Sequence, residues 1–222
     1  MERLTPREAV KIARVGDLLL INGSRIIIGR SIDMPYNAIR PPFTLKLREM
    51  PRAELRRYFQ WFMEVLPHRI IELHSAVTGT SGFGNWKADC SPDSLNDLGD
   101  WFVIQVETRP RTQEEIDSTL NQKGPVLAVP TIELTDRTFS LAMDIGMYMS
   151  QVLLKNYHSL EWMQPLGSRK FIDYGQPSLK GFGVVSLNPV RIVVVLAYGL
   201  ADKSVPGKRL REIYDRWTQR IQ

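Results

Sequence analysis

Residues 78–90, TGTSGFGNWKADC, combine three glycines with Ser81, Lys87 and Cys90, which are residue types that bind phosphate or act as nucleophiles. A phosphate-binding P-loop requires G-x-x-x-x-G-K-[ST] between a strand and a helix, and a nucleophile elbow requires G-x-S-x-G. Lys87 does not have the first spacing, and Phe83 occupies the position of the second glycine in the elbow. We therefore predict that the segment ends a helix and connects it to the next element.

Cys90 is the only cysteine of the chain and would need a neighbouring base, His74 or His158, to act as a nucleophile. Asp89 and Asp93 flank it, and a reactive thiol requires the opposite, an electropositive setting. The sequence therefore predicts no catalytic role for Cys90 and identifies no catalytic residue.

The one cluster with metal-binding residue types is His68, Glu72 and His74. On a helix His68 and Glu72 share a face but His74 points away, and the spacing matches neither H-E-x-x-H nor its inverse. We therefore predict that these histidines are solvated or cap a helix end. We predict no metal and no cofactor.

Charge is unevenly distributed within the 222 residues, whose net charge is +5. Residues 1–70 carry +6, residues 71–150 carry −7 and residues 151–222 carry +6. The densest basic stretches, at 52–57 and 207–220, are interrupted by acidic residues at helical spacing, which is typical of solvated helix faces and disfavours nucleic acid. The same distribution also suits internal complementarity, with the acidic middle segment lying against the basic flanks.

In the N-terminal half, Thr5 and Glu8 form a capping box that predicts a helix over about 6–14. Asn22-Gly23 between apolar runs predicts a tight hairpin. FTLKL at 43–47 suggests a short strand. The apolar spacing of 52–66 predicts a helix, and Pro67 opens a second helix that ends near residue 77.

In the C-terminal half, helices are predicted after Asp93 or Ser94, after the Thr112–Glu115 capping box, over 134–156, after Asn188-Pro189 and over 208–221. The β-branched residues that follow Asn188-Pro189 also suit a buried strand. Short extended pieces are predicted at 160–162, 170–174 and 178–182. The fold class is therefore α+β, a mainly helical single domain with a small antiparallel sheet in the C-terminal third.

A polar stripe is the strongest indication of a site. Asp144, Tyr148, Gln151 and Lys155 recur at intervals of four, three and four residues within the apolar helix 134–156, so they share one face. The stripe either faces solvent, bonds to neighbouring strands, or lines a cleft in which Asp144, Tyr148 and Gln151 bind a ligand or partner. An unpaired buried Asp144 would be too costly to occur.

The cysteine count, the N-terminal residues and the length of the apolar runs indicate the compartment. A single cysteine excludes an internal disulfide, and the N-terminal residues do not show the pattern of a secretory signal. The longest apolar runs fall far below the roughly 20 residues that span a bilayer. We predict a cytoplasmic protein that does not enter membranes.

From about Phe43 onward, phrases such as ELRRYFQWFMEVLPHRIIEL, SPDSLNDLGDWF, RTFSLAMDIGMYMSQVLLKN, KFIDYGQPSLKGFG and LNPVRIVVVLAYGL are characteristic. In these the chain resembles a family of uncharacterised bacterial proteins, and proteins of comparable build accompany bacterial toxins as immunity proteins. Residues 1–33 lie outside the resemblance. We therefore predict an N-terminal extension over 1–33, built of a helix and a hairpin and peripheral to the rest, and a single α+β domain over 34–222.

Two functions remain open at this point. The favoured function is a non-enzymatic protein-binding module, of which a toxin-immunity protein is one kind, because every catalytic template fails. The alternative is a hydrolase or similar enzyme with a pocket around Asp144, Tyr148 and Gln151, with Cys90 as a further member.

Overall fold

The computed structural model describes residues 12–15, 18–21, 24–27, 36–123 and 130–222. Within them the chain is α+β and mainly helical, with six helices, 52% helical content and a small antiparallel sheet in the C-terminal part. The fold class predicted from the sequence is confirmed.

Three strands form an antiparallel sheet near the N-terminus: β1 (Ile12–Val15), β2 (Leu18–Ile21) and β3 (Ser24–Ile27). Ile21 pairs with Ser24, which confirms the predicted hairpin, although its two turn residues lie outside the described residues. The predicted helix over 6–14 is wrong at residues 12–14, because Ile12 pairs with Ile21 as part of a strand. The rest of that predicted helix lies outside the described residues.

A single 28-residue helix, α1 (Arg52–Gly79), replaces the two predicted helices. Pro67 lies inside it, where its ring removes one backbone hydrogen bond. The helix continues because the turns on both sides of Pro67 bury side chains on the same face, namely Leu55, Tyr58, Phe62, Leu66, Ile70, Leu73 and Val77. Packing therefore outweighs the local signal of the proline.

The acidic middle segment contains two helices and a strand pair: α2 (Ser94–Gln105), β4 (Thr108–Pro110), α3 (Gln113–Lys123) and β5 (Ile132–Leu134). The capping box of α3 is confirmed, since Thr112 N donates to Glu115 Oε2 at 2.9 Å and Glu115 N donates to Thr112 Oγ1 at 3.2 Å. The antiparallel pair β4–β5 was not predicted.

The centre of the molecule is α4 (Asp136–Asn156), which packs against α1 and against α5 (Pro189–Ala201). Asn188 caps α5 by accepting from Arg191 N at 3.0 Å, as its sequence predicts. Gly146 permits the close approach of the two helices, because a Cβ atom there would lie 2.7 Å from Val190 Cα. The last helix is α6 (Arg209–Thr218).

The C-terminal sheet consists of β6 (Glu161–Met163), β7 (Ser178–Phe182) and β8 (Val185–Leu187), all antiparallel. The predicted extended pieces at 160–162 and 178–182 correspond to β6 and β7. The other two predicted pieces are wrong. Residues 43–47 form no strand, and Leu45 among them has a left-handed φ of 55°. Residues 170–174 form consecutive turns, with Tyr174 N donating to Phe171 O.

One main core joins α1, α2, α4, α5 and α6 to the C-terminal sheet, and a smaller cluster around Met50, Leu55, Tyr58 and Tyr174 adjoins the start of α1. The ring of Phe182 meets Trp217 edge-on at 5.2 Å, which attaches β7 to α6. Among the described residues, no helix combines the length and the apolar character needed to cross a membrane.

Candidate functional site

Asp144 is fully buried in α4 and forms an ion pair with Arg69 of α1. Arg69 Nε donates to Asp144 Oδ1 at 2.8 Å and Arg69 Nη2 donates to Asp144 Oδ2 at 2.7 Å, so the pair is bidentate. Only 11% of the Arg69 side chain is exposed. The bond links the two longest helices of the protein, and it meets the condition that a buried carboxylate needs a partner.

Tyr36 completes this cluster from outside the helices. Its hydroxyl donates to Asp144 Oδ2 at 2.5 Å, accepts from Arg69 Nη2 at 2.9 Å and lies 2.6 Å from Ser140 Oγ. The guanidinium groups of Arg69 and Arg137 lie 5.4 and 5.8 Å from the centre of its ring. We call Tyr36, Arg69, Ser140 and Asp144 the buried tetrad.

The backbone next to Tyr36 is held in the same place. Asn37 N donates to Glu72 Oε1 at 2.7 Å, and Ile39 N donates to Ser140 Oγ at 2.7 Å. The segment 36–39 is therefore bonded to both α1 and α4. The tetrad acts as an anchor that ties the segment and the two helices together.

Burial dominates the electrostatics of the tetrad. It raises the pKa of Asp144 to about 6, although Arg69 and Tyr36 lower it by stabilising the carboxylate. The pKa of Tyr36 is raised by burial and by the neighbouring Asp144. Burial lowers the pKa of Arg69, but the hydrogen bond and the charge of Asp144 outweigh it and leave that pKa above its usual value.

Tyr148 is also fully buried, one helical turn from Asp144. Its hydroxyl lies 2.6 Å from Ser94 Oγ and accepts from Cys90 N at 3.1 Å, while its ring meets Trp86 edge-on at 5.4 Å. These contacts attach the loop before α2 to α4. Burial raises the pKa of the Tyr148 hydroxyl, so it stays protonated.

The remaining stripe residues lie closer to the surface. Gln151 is half-buried, and the exposed Lys155 donates from Nζ to Asp89 O at 2.7 Å. The stripe therefore runs from the tetrad to the 86–94 loop. Its partners are on α1 and in two irregular segments, whereas the sequence suggested strands as partners. The solvent-facing alternative does not apply to Asp144 and Tyr148.

Cys90 is buried with a left-handed φ of 58°. Burial raises the pKa of its thiol, the charge of Lys155 opposes this, and Asp89 adds to it. Burial and the charge of Asp89 both disfavour the thiolate form that a reactive cysteine needs.

His68 is exposed, and His74 packs its ring 5.9 Å from that of Trp86. Within the part of the chain that the structure describes, no three His, Cys, Asp or Glu side chains are grouped as a metal ion would require.

A different feature stands out on the surface, between β6 and β7. Residues 167–172, GSRKFI, are all exposed, and 41% of Phe171 and 58% of Ile172 are accessible. We call this segment the exposed loop. Its backbone is folded by turns, since Phe171 N donates to Ser168 O at 3.0 Å and Lys170 N donates to Ser168 Oγ at 3.2 Å.

The base of the exposed loop is rigid because it is bonded to α1 and α5. Asp173 is buried, and Arg191 binds it with both Nε and Nη2, at 2.6 and 3.0 Å. Asn188 Nδ2 donates to Asp173 Oδ1 at 3.0 Å, and Gly175 N donates to Pro165 O at 2.8 Å across the base.

Gln164 fixes the other side of the base, since its Nε2 atom donates to Leu55 O at 2.6 Å and to Gly175 O at 2.9 Å. Gly175 has a φ of 76°, and a Cβ atom there would lie 2.7 Å from Leu55 Cδ2. A side chain at this position would be strained by the positive φ, and the Leu55 side chain would have to move to admit it.

Sequence reasoning missed the exposed loop because it treated 170–174 as an extended piece. A usable signal was present, since Gly167-Ser168 and Gly175 bracket the run RKFI, in which two cations precede two apolar residues. Glycine and serine at both ends favour a loop over a strand.

The chain matches no protein-family model, and no similar chain was found among the curated proteins or the solved structures.

Proposed function

We propose that this chain is a non-enzymatic protein-binding module and that the exposed loop is its binding surface. One observation carries the proposal: Phe171 and Ile172 are presented to solvent on a base held by the ion pair between the buried Asp173 and Arg191. Loops positioned by a rigid scaffold are frequent binding elements.

Binding costs less free energy when the binding segment is already ordered. A loop that is already folded loses little conformational freedom on binding, so more of the contact energy appears as affinity. Aromatic and arginine side chains are enriched among the residues that dominate interfaces, and the loop contains Phe171 and Arg169. Fully burying an apolar side chain contributes roughly 1.5–3 kcal/mol, and both apolar residues of the loop are partly exposed before binding.

A toxin is the kind of partner that the sequence resemblance suggests, and a toxin-neutralising protein is one instance of such a module. The alternative, a hydrolase around Asp144, Tyr148 and Gln151, would need substrate to reach two fully buried side chains. Because the partners of these two side chains close them off from solvent, we propose no enzymatic function.

Site-specific photo-crosslinking tests the proposal. The photoreactive residue p-benzoylphenylalanine is placed at Phe171 and, as a control, at Val184, which is also apolar and exposed but lies in the turn between β7 and β8. In cells of the source organism, the Phe171 position should give a discrete crosslinked protein that the Val184 position does not give. The same products from both positions, or none from Phe171, would refute the proposal.

A further inference from the structure

We infer that the partner of the exposed loop presents an acidic protein surface around an apolar contact. This inference rests on the proposed function and adds the chemistry of the partner. It follows from the charges that converge on the loop and from the type of its apolar residues.

Four basic side chains belong to the exposed loop or are bonded to residues next to it. Arg169 and Lys170 belong to the exposed loop itself. Arg52, at the start of α1, donates from Nη2 to Leu166 O at 3.1 Å, which places its guanidinium group beside the loop. Arg191 reaches the other side through its pair with Asp173, and 36% of its side chain stays exposed.

Only one of these cations, Arg191, is balanced by an acidic residue of the same region. Between Gln164 and Ser178 the only acidic residue is Asp173, which is buried and already bound to Arg191. On the first turn of α1, Glu54 is half-buried, and Arg56 is exposed one turn beyond Arg52. The surface around the loop is therefore basic, and a basic surface attracts an acidic partner and disfavours a basic one.

The apolar residues favour a protein over nucleic acid. Platforms for single strands use several aromatic rings to stack successive bases, whereas the exposed loop offers the single ring of Phe171. Ile172 is the more exposed of the two and has no ring to stack, but a protein pocket can bury it.

They also favour a protein over a lipid surface. Lasting membrane attachment combines a long apolar face or acyl chain with a basic cluster. Two partly exposed apolar side chains, even beside four cations, are too few for lasting membrane attachment. They are sufficient for the centre of a small protein interface with a charged rim.

The test measures binding of a fluorescein-labelled acidic peptide, in which Glu and Asp alternate with Leu, by fluorescence anisotropy with the full chain. We expect the variant Arg169→Glu/Lys170→Glu to bind the peptide at least about fivefold more weakly, because each reversal removes an attraction and adds a repulsion. Wild-type binding should also weaken between about 0.1 and about 1 M salt, across which the Debye length falls from about 10 to about 3 Å.

The control is Lys87→Glu/Lys208→Glu, which changes the net charge equally. Lys87 follows the C-terminal end of α1 and Lys208 follows that of α5, whereas Arg52 and Arg191 lie at the N-terminal ends. The control should bind the peptide within about twofold of wild type, since neither lysine belongs to the exposed loop or to the residues bonded to its base. Unchanged thermal melts establish that all variants are folded.

The inference is overturned if wild type does not bind the peptide or if both variants weaken it equally. It is also overturned if single-stranded oligothymidine or vesicles with an anionic lipid bind through the loop in place of the peptide. A crosslinked protein at Phe171 combined with any of these results would preserve the proposed function and reject the acidic partner. Absence of that crosslink would reject the proposed function itself.

Discussion

Removing the Asp144 carboxylate tests whether the stripe of α4 is an anchor. The substitution Asp144→Ala deletes three short hydrogen bonds, two from Arg69 and one from Tyr36, and leaves a guanidinium group that is only 11% exposed without its acceptor. Breaking a buried pair in this way typically costs about 3–5 kcal/mol. We expect a loss of that size in the free energy of unfolding, measured by urea denaturation at pH 7.

Two further variants show whether the cost comes from the pair. Arg69→Met combined with Asp144→Leu removes both charges and fills the space with apolar atoms, so it should be more stable than Asp144→Ala alone. Gln151→Ala, at a half-buried position of the same stripe, should cost less than about 1 kcal/mol. If Asp144→Ala loses less than about 1 kcal/mol, or if the double variant is no more stable than Asp144→Ala, the tetrad is not an anchor.

Three other measurements follow from the same contacts. Alkylation of Cys90 at neutral pH should be slower than that of a free thiol, because burial raises its pKa; a faster reaction would contradict this. Gly146→Ala should lower the free energy of unfolding by about 1–3 kcal/mol, because the added methyl group would meet the backbone of Val190. Gly79→Ala, with open space around it, should lower it by less. Equal losses for the two variants would contradict the close approach of α4 and α5. Acidification from pH 7 to 4 should stabilise wild type relative to Asp144→Asn by up to about 3 kcal/mol. The folded pKa of about 6 exceeds the ordinary value of 3.8 for this side chain, so this contribution is complete below pH 3.8 and lost as the pH rises through 6. The nearby Arg69 and Glu72 are present in both proteins, so their charges do not account for the difference. If the stability of wild type relative to Asp144→Asn falls on acidification, the predicted sign is wrong.

The sequence predicted those elements whose signals are local. The Thr112–Glu115 box and the Asn188 cap each act within four residues, and both form the expected hydrogen bonds. The apolar period of α4 spans many turns and is equally readable. The α+β class and the C-terminal sheet follow from such local evidence.

The errors occurred where distant contacts decide the outcome. Pro67 reads as a helix start, but the buried face of α1 on both sides of it keeps one helix intact. Residues 170–174 read as a strand, but Asp173 is drawn to Arg191, 18 residues further along the chain. The partner of Asp144 is 75 residues away in α1, and no spacing rule in a single sequence connects the two.

Two buried aspartates show why the candidate surface lies on a loop rather than on the stripe. Asp144 and Asp173 each bind an arginine through two nitrogen atoms. The first arginine, Arg69, is almost closed off from solvent, so its charge is spent within the protein. The second, Arg191, keeps about a third of its side chain exposed next to the exposed loop, so it fixes the base and remains accessible at the surface that we propose for binding. The same kind of ion pair therefore holds two helices together at Asp144 and fixes the base of the proposed binding loop at Asp173, and the two arginines differ in their exposure.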